Sequence, residues 1–389
     1  MGSFSHCFFN DYPLFAVKND YVPQVLELIF HPDDYIEEKR KFKSRSRLVW
    51  GGAYENMEGD FLFKGYRKEA RACRERLEIF GMSSKVAKSD FLTAKKLARD
   101  ELHYEFDIGK IRYEDYLKEV ADIIERGDVS YDKLHVNFRE SLIADELSIY
   151  GQSLAAYIYA VLSTVRDDSI IEYDLSDVIY GGWVKSVSDF DAVPEKIIVL
   201  AEGKTDVEFI SKSIEIYCPW VSDYYHFIDF DEFKIETNAS ALVKLITTFA
   251  AANVKHPIIA LFDNDTTGLM EMKKLKGLSL PDNIRVLKYP DIKLARRYPA
   301  QGPGRIQRAN VNGLACGIEM YLGQDVLTKD DGLIPVRWSS FNERERKYQG
   351  EISDKKYVQE AFRQKMNDGF PPLWDEMRVL LNVIFTAFK

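Results

Sequence analysis

Apolar and polar residues follow two different rhythms along this chain, and the rhythm changes near residue 191. Before that point apolar positions recur mostly at helical spacing. Val22, Val25, Leu26, Leu28 and Ile29 predict a helix within 22–42, ending in a charged run. Tyr66 to Phe80 predicts a second, with Gly81 placed to stop it. Ser89–His103 and Tyr113–Arg126 predict two more, and Ser141–Val165 a long one, apolar along one side and read as core. Residues 1–20 differ: two apolar runs flank Asn10-Asp11, which predicts a short hairpin.

After residue 191 the apolar residues gather into short unbroken runs at 196–201, 224–230, 257–262 and 284–289. Between them lie helical patterns at Thr205–Tyr217, Asn238–Asn253 and Thr266–Lys276, the last followed by Gly277. Strands alternating with helices over short loops imply βαβ units and a parallel sheet. Two helices are predicted near the end, Asp354–Asn367 and Pro371–Phe388. The expected architecture is α/β: a mostly helical domain with a small hairpin over 1–190, a Rossmann-like parallel sheet with flanking helices over 191–330, and a helical segment over 331–389 that completes the site.

Composition narrows this picture. A chain of 389 residues, 46% hydrophobic and 30% charged, reads as an ordinary globular protein of two or three domains. Its net charge of −9 gives no chain-wide basic footprint, so any contact with nucleic acid must come from a local patch. Cys7, Cys73, Cys218 and Cys316 are far apart, which argues against a zinc site or a disulfide framework and fits a reducing cytoplasm. Residues 1–20 do not read as a signal peptide, and the apolar stretch Leu154–Val165 is shorter than the roughly 20 residues a membrane span needs. A cytoplasmic protein with no membrane contact is expected.

The chemistry is concentrated at two strand ends. Ile197–Gly203 (Ile-Ile-Val-Leu-Ala-Glu-Gly) closes on Glu202, and Ile258–Asp265 (Ile-Ile-Ala-Leu-Phe-Asp-Asn-Asp) closes on Asp263 and Asp265. Ligands of open parallel sheets bind outside the carboxyl ends of the strands. An all-oxygen carboxylate set suits Mg²⁺ or Mn²⁺. Gly203 permits a tight turn there, and Asp206, about one helical turn on, can face the same point. As an isolated segment, 263–268 also fits a turn with a helix cap. A calcium loop starting at Asp263 fails because its twelfth position is Lys274 rather than Glu, and because a strand precedes it. A phosphatase of the haloacid-dehalogenase type would use Asp263 as nucleophile, but the later hydroxyl and second acidic pair of that family have no counterpart on a strand here.

Glu202-Gly203-Lys204-Thr205-Asp206 followed by Asp263-Asn264-Asp265, in that order and on strands, resembles the Toprim family. The resemblance implies divalent-metal chemistry on nucleic-acid phosphodiesters. It assigns Glu202, Asp206, Asp263 and Asp265 to the metal, with Glu202 also able to take the proton of an attacking water. Glu319, in the apolar stretch Ala315–Leu322, resembles the later acidic residue of nuclease-type Toprim domains. Lys355, in Tyr348–Lys355 read as opening a helix, resembles the lysine that follows it. Residues 285–310 carry Arg285, Lys288, Lys293, Arg296, Arg297, Arg305 and Arg308 against Asp291 alone, broken by Pro299, Gly302, Pro303 and Gly304. That composition predicts a basic loop in which Lys293, Arg296, Arg297, Arg305 and Arg308 grip phosphate.

The opening Met-Gly-Ser-Phe-Ser segment and Arg74–Gly81 resemble the amino-terminal region of HEPN/Toprim-associated proteins. That likeness spans nearly the whole chain and implies a role in conflict with phage or other invading elements. One departure stands out. HEPN ribonucleases space Arg and His by four to six residues, whereas Arg99 and His103 have three between them and Arg126 and His135 have eight. No second ribonuclease site is therefore expected. The expected function is a Mg²⁺- or Mn²⁺-dependent Toprim endonuclease acting on DNA or RNA as a defence effector, with a partner protein or a homo-oligomer as candidate associations. The alternative is a non-catalytic sensor or scaffold subunit of a defence complex.

Overall fold

A computed structural model of the chain describes residues 2–54, 56–102, 104–129, 136–184, 196–228, 236–302, 305–330, 332–367 and 372–389. Contacts divide it into two compact units, Met1–Pro194 with Lys389 and Glu195–Phe388. His103, His135, Pro303, Gly304 and the end of the expected strand 224–230 lie outside the described residues.

In the first unit the expected hairpin forms as β1 (Phe4–Phe9) and β2 (Tyr12–Lys18), with Asn10 at a positive φ of 48° in the turn. It is the edge of a larger object. β3 (Tyr35–Lys41), β4 (Asp60–Glu69) and β5 (Ile170–Asp174) join it in a five-stranded antiparallel sheet ordered β2-β1-β5-β4-β3. Two sequence expectations are corrected here. The helix expected over 22–42 is only α1 (Pro23–Ile29); beyond it comes His31-Pro32, which disfavours helix before the proline, and 35–41 is the edge strand β3. β3 carries the charged run Glu37-Glu38-Lys39-Arg40-Lys41, as suits an edge exposed to water. The helix expected from Tyr66 starts later, because 66–69 end β4. The short α2 (Arg47–Trp50) is followed by α3 (Ala70–Ile79), and Gly81 then adopts φ 96°.

α5 (Tyr113–Arg126) has its expected span, and α4 (Ser84–Glu101) begins five residues before the expected Ser89. The expected long helix 141–165 is two, α6 (Phe138–Ala144) and α7 (Leu154–Ser163). Glu146 and Leu147 at positive φ break it, and the Ser153 hydroxyl restarts it by accepting from the Ala156 N–H. Residues Ala156–Leu162 are all buried, so α7 is core. α8 (Ser176–Tyr180) closes the unit.

The second unit is built on a parallel sheet ordered β10-β8-β6-β7: β6 (Ile197–Ala201), β7 (Tyr225–Phe227), β8 (Ile258–Phe262) and β10 (Ile284–Lys288). Between β8 and β10 the two-residue β9 (Asn264–Asp265) leads into α12. The linking helices are α9 (Lys204–Tyr217), α10 (Pro219–Ser222), α11 (Ala239–Ala251) and α12 (Thr266–Lys273). All five side chains of β8 are buried, because helices cover both faces. Leu242 and Ile246 of α11 and Leu275 pack on one face with Leu200, Ala260 and Phe262. Burial at about 1.5–3 kcal/mol per large apolar side chain anchors the strand whose end bears Asp263.

A second sheet, ordered β12-β11-β16-β17, comes from β11 (Tyr298–Gln301), β12 (Ile306–Ala309), β16 (Val336–Asn342) and β17 (Lys347–Ile352). β13 (Ala315–Cys316) pairs with β9, and β14 (Thr328–Lys329) with β15 (Gly332–Leu333). The expected basic loop is thus largely the β11–β12 hairpin. Tyr348–Ile352, expected to open a helix, is strand, and α13 (Lys355–Asn367) begins after it. α14 (Asp375–Phe385) ends the unit. Among the described residues no helix is long and apolar enough to cross a membrane.

Candidate metal centre

The register between β6 and β8 sets Ala201 opposite Leu261, so the residues just past both strand ends fall together. The Asp263 N–H donates to Glu202 Oε1 at 2.8 Å. Gly268, in the first turn of α12, makes this approach feasible. A Cβ there would lie 2.6 Å from the Asp263 carbonyl oxygen and 2.7 Å from Glu202 Oε1.

Each remaining carboxylate is held by a different element. Asp265 is the N-cap of α12: its Oδ1 accepts from the Gly268 N–H at 2.7 Å, and its Oδ2 from Gln349 Nε2 of β17 at 2.6 Å. Asp206, buried in the first turn of α9, accepts from the Tyr289 hydroxyl at 2.5 Å. Glu319, 4% exposed, sits in the 3₁₀ turn Ile318–Tyr321 and accepts from Gln359 Nε2 of α13 at 2.8 Å. A Cβ on Gly317 would lie 3.1 Å from Glu319 Oε2 and 3.2 Å from Asp263 Oδ2, so these two carboxylates flank the same bare backbone.

Asp263, Asp265, Glu319, Ser339, Gln349 and Lys355 line a small cleft of about 110 Å³. Glu202 and Asp206 do not line it; Glu202 is tied to it through the Asp263 N–H. The cluster is gathered but not closed. Among the described residues no three of these carboxylates bring one oxygen each within 4.8 Å of one another. Lys355 Nζ lies 3.6 Å from Glu351 at the mouth, with its side chain 45% exposed.

Crowding acids in a desolvated place makes ionisation costly. Burial, with the Asp265, Asp206 and Glu271 charges, pushes the Glu202 carboxyl up to about 8 despite the Asp263 N–H. Burial and the Glu319 charge push Asp206 up to about 6 against the Tyr289 hydrogen bond. Asp263 is raised well above the ordinary range by burial, then by Asp206, Glu202, Asp265 and Glu319. Burial also raises Asp265, although the Gly268 N–H, Gln349 and Lys355 oppose it. Desolvation works against the Lys355 ammonium, but the Glu319, Asp263, Glu351 and Asp206 carboxylates outweigh it and hold its pKa above the usual lysine value.

A divalent cation fits this donor set. Asp263 Oδ1 is buried with no hydrogen-bond partner, and the potential ligands are all hard oxygens. Buried carboxylates without a buried cation are what a metal would neutralise.

The predicted basic residues separate. Lys293, Arg296, Arg297, Arg305 and Arg308 are all exposed and form no ion pair among the described residues. Arg285 instead turns into the fold, donating to the Ala387 carbonyl at 3.2 Å, and Lys288 bonds Asn264 and Asp291.

Sequence reasoning missed Tyr289, Ser339, Gln349, Gln359 and Glu271. Tyr289 ends β10 at the same sheet edge as the carboxylates, so the strand-end rule that found Glu202 also reaches it. The two glutamines carry no motif; only the strand and helix that follow the sheet bring them in. Glu271 is buried, with Oε1 bonded to Lys274 and Oε2 without a partner.

The second unit is therefore an α/β fold, with an acidic cluster at the carboxyl ends of its parallel strands. The family model for HEPN/Toprim N-terminal domain 1 matches residues 1–197, half of the 389-residue chain, and the chain belongs to that family. The match ends within β6, so all five carboxylates lie beyond it. Membership connects the chain with nuclease-related or defence roles. No curated protein and no solved structure matches it.

Proposed function

We propose that this chain is a metal-dependent endonuclease that cleaves nucleic-acid phosphodiester bonds as a defence effector. The observation that carries the reading is Asp263 Oδ1, buried without a partner beside carboxylates that repel one another. Glu202, Asp263 and Asp265, with Asp206 and Glu319, would hold Mg²⁺ or Mn²⁺. Such an ion supplies Lewis acidity and neutralises charge on a transferring phosphoryl group.

The chain's own groups do the rest. In its ionised form Glu202 serves as the base that accepts the proton of the attacking water. Lys355, cationic at the cleft mouth, stabilises charge on the scissile phosphate. Tyr289, Gln349 and Gln359 fix the orientation of Asp206, Asp265 and Glu319. Lys293, Arg296, Arg297, Arg305 and Arg308 bind backbone phosphates. In this scheme residues 1–190 form a regulatory or binding module, 191–330 the catalytic core, and 331–389 the segment that supplies Lys355 and the glutamines.

The test is incubation of the purified chain with plasmid DNA and with tRNA in Mn²⁺. Cleavage should fall at least about 100-fold in Asp263→Ala. An Asp263→Ala variant that cleaves like the parent overturns the site. Calorimetric Mn²⁺ binding without cleavage of either substrate supports the sensor or scaffold reading instead.

A further inference from the structure

The sheet β12-β11-β16-β17 forms a groove of about 630 Å³ lined by Arg305, Arg308, Arg337, Trp338, Phe341 and Tyr348, and by no carboxylate. Its aromatics are poorly covered: Phe341 is 49% and Tyr348 53% exposed. They form a connected set, with Phe341 and Tyr348 edge to face at 5.0 Å and Trp338 and Tyr348 at 5.7 Å. The backbone makes room for it. A Cβ on Gly350 would lie 2.8 Å from the Trp338 ring, so glycine lets the indole lie over the neighbouring strand. A β-bulge falls between Trp338 and Ser340, leaving Ser339 unpaired. Ser339 lines both this groove and the carboxylate cleft, so the two meet at this residue.

Arginines beside exposed rings suit a particular chemistry. Guanidinium groups bind backbone phosphates, and aromatic faces stack on bases. Only unstacked bases offer their faces; a duplex hides them. We infer that this face binds single-stranded nucleic acid, stacking bases on Phe341, Tyr348 and Trp338 while Arg305, Arg308 and Arg337 hold the phosphates, and so feeds a single strand past Ser339 into the carboxylate cleft. The inference deepens the proposed nuclease reading and rests on it for the direction of feeding, but strand binding can be measured without cleavage.

The experiment uses the full chain in EDTA with fluorescently labelled 16-nucleotide DNA and RNA single strands and the matching duplexes, read by anisotropy. Single strands should bind at least about 10-fold more tightly than duplexes. The double variant Phe341→Ala/Tyr348→Ala should weaken strand binding at least about 10-fold, while Tyr348→Phe, which keeps the ring, binds as the parent does. Arg305→Ala and Arg308→Ala should each lower the slope of log Kd against log salt by about 0.7. Circular dichroism checks that the variants are folded. Duplexes bound as tightly as single strands, or a folded double variant that binds like the parent, overturn the inference. The nuclease reading fails separately, if strands bind through the aromatic face yet Mn²⁺ brings no Asp263-dependent cleavage.

Discussion

The two units bury charge in opposite ways. In the first, every strongly buried acid has a cation against it. Asp34 meets Arg76, both side chains at most 3% exposed, and also Lys68 at 2.7 Å. Glu172 is bonded by Arg40 and Arg67, and Asp174 lies 3.3 Å from the buried Arg45. In the second unit the buried charged residues among those described are Asp206, Glu271 and Glu319, all acidic; Asp206 and Glu319 have no ion pair among the described residues, and Glu271 has only the half-exposed Lys274. The first arrangement is what a fold needs to tolerate charge in its interior. The second is costly to the fold alone, and such clusters of like charge mark functional sites.

That contrast can be broken. The largest effect is expected in the first unit: Asp34→Ala strands Arg76 and should cost about 3–5 kcal/mol of stability in urea unfolding. The next concerns pH. The carboxyls of Asp206 and Glu202 are raised in the folded state, to about 6 and about 8, so the stability they contribute is complete at acid pH and lost as pH rises through those values. In EDTA the unfolding midpoint should therefore fall from about pH 4.5 to about pH 8, and Mn²⁺ should restore it at the upper end. A flat profile in EDTA would mean that the acids are not strained by one another.

Neutralising one of them should act opposite to Asp34→Ala. Asp263→Asn should raise the metal-free stability near pH 8 by about 1 kcal/mol while abolishing any Mn²⁺-induced gain. If both substitutions destabilise alike, the contrast between the units is wrong. The smallest effect is Tyr289→Phe, which frees Asp206 from its hydroxyl donor and should weaken Mn²⁺ binding about 10-fold by calorimetry.

The same contrast explains what could be read from the sequence. β6 and β8 are unbroken apolar runs buried on both faces, so their ends and the acids at those ends were legible. β3 was not, because an edge strand that runs Glu-Glu-Lys-Arg-Lys looks like a solvated helix until β4 is seen beside it. The break at 146–153 starts at Glu146 and Leu147, non-glycine residues at positive φ with no clear sequence signature, and only Gly151, at φ 81°, marks it in the sequence. β11 and β12 were read as a loop because Pro299 and Gly302 punctuate them. β16 and β17 were missed, and with them Ser339, Gln349 and the aromatic face; their polar alternation carries little apolar signal. What remained hidden was the wall of the cleft rather than its floor.

The unpaired Ser339 has an evolutionary consequence. Side chains along a strand change face at every residue, and a bulge takes up one extra residue so that the pairing beyond it keeps its face. Here the pairing steps from Trp338 opposite Gly350 to Phe341 opposite Tyr348 across that insertion. Deleting Ser339 would restore regular pairing and leave Phe341 opposite Tyr348 on its present face, but remove the residue that lines both groove and cleft. A single codon thus decides whether groove and cleft share a wall, and its loss parts them without altering an acid inside the cleft.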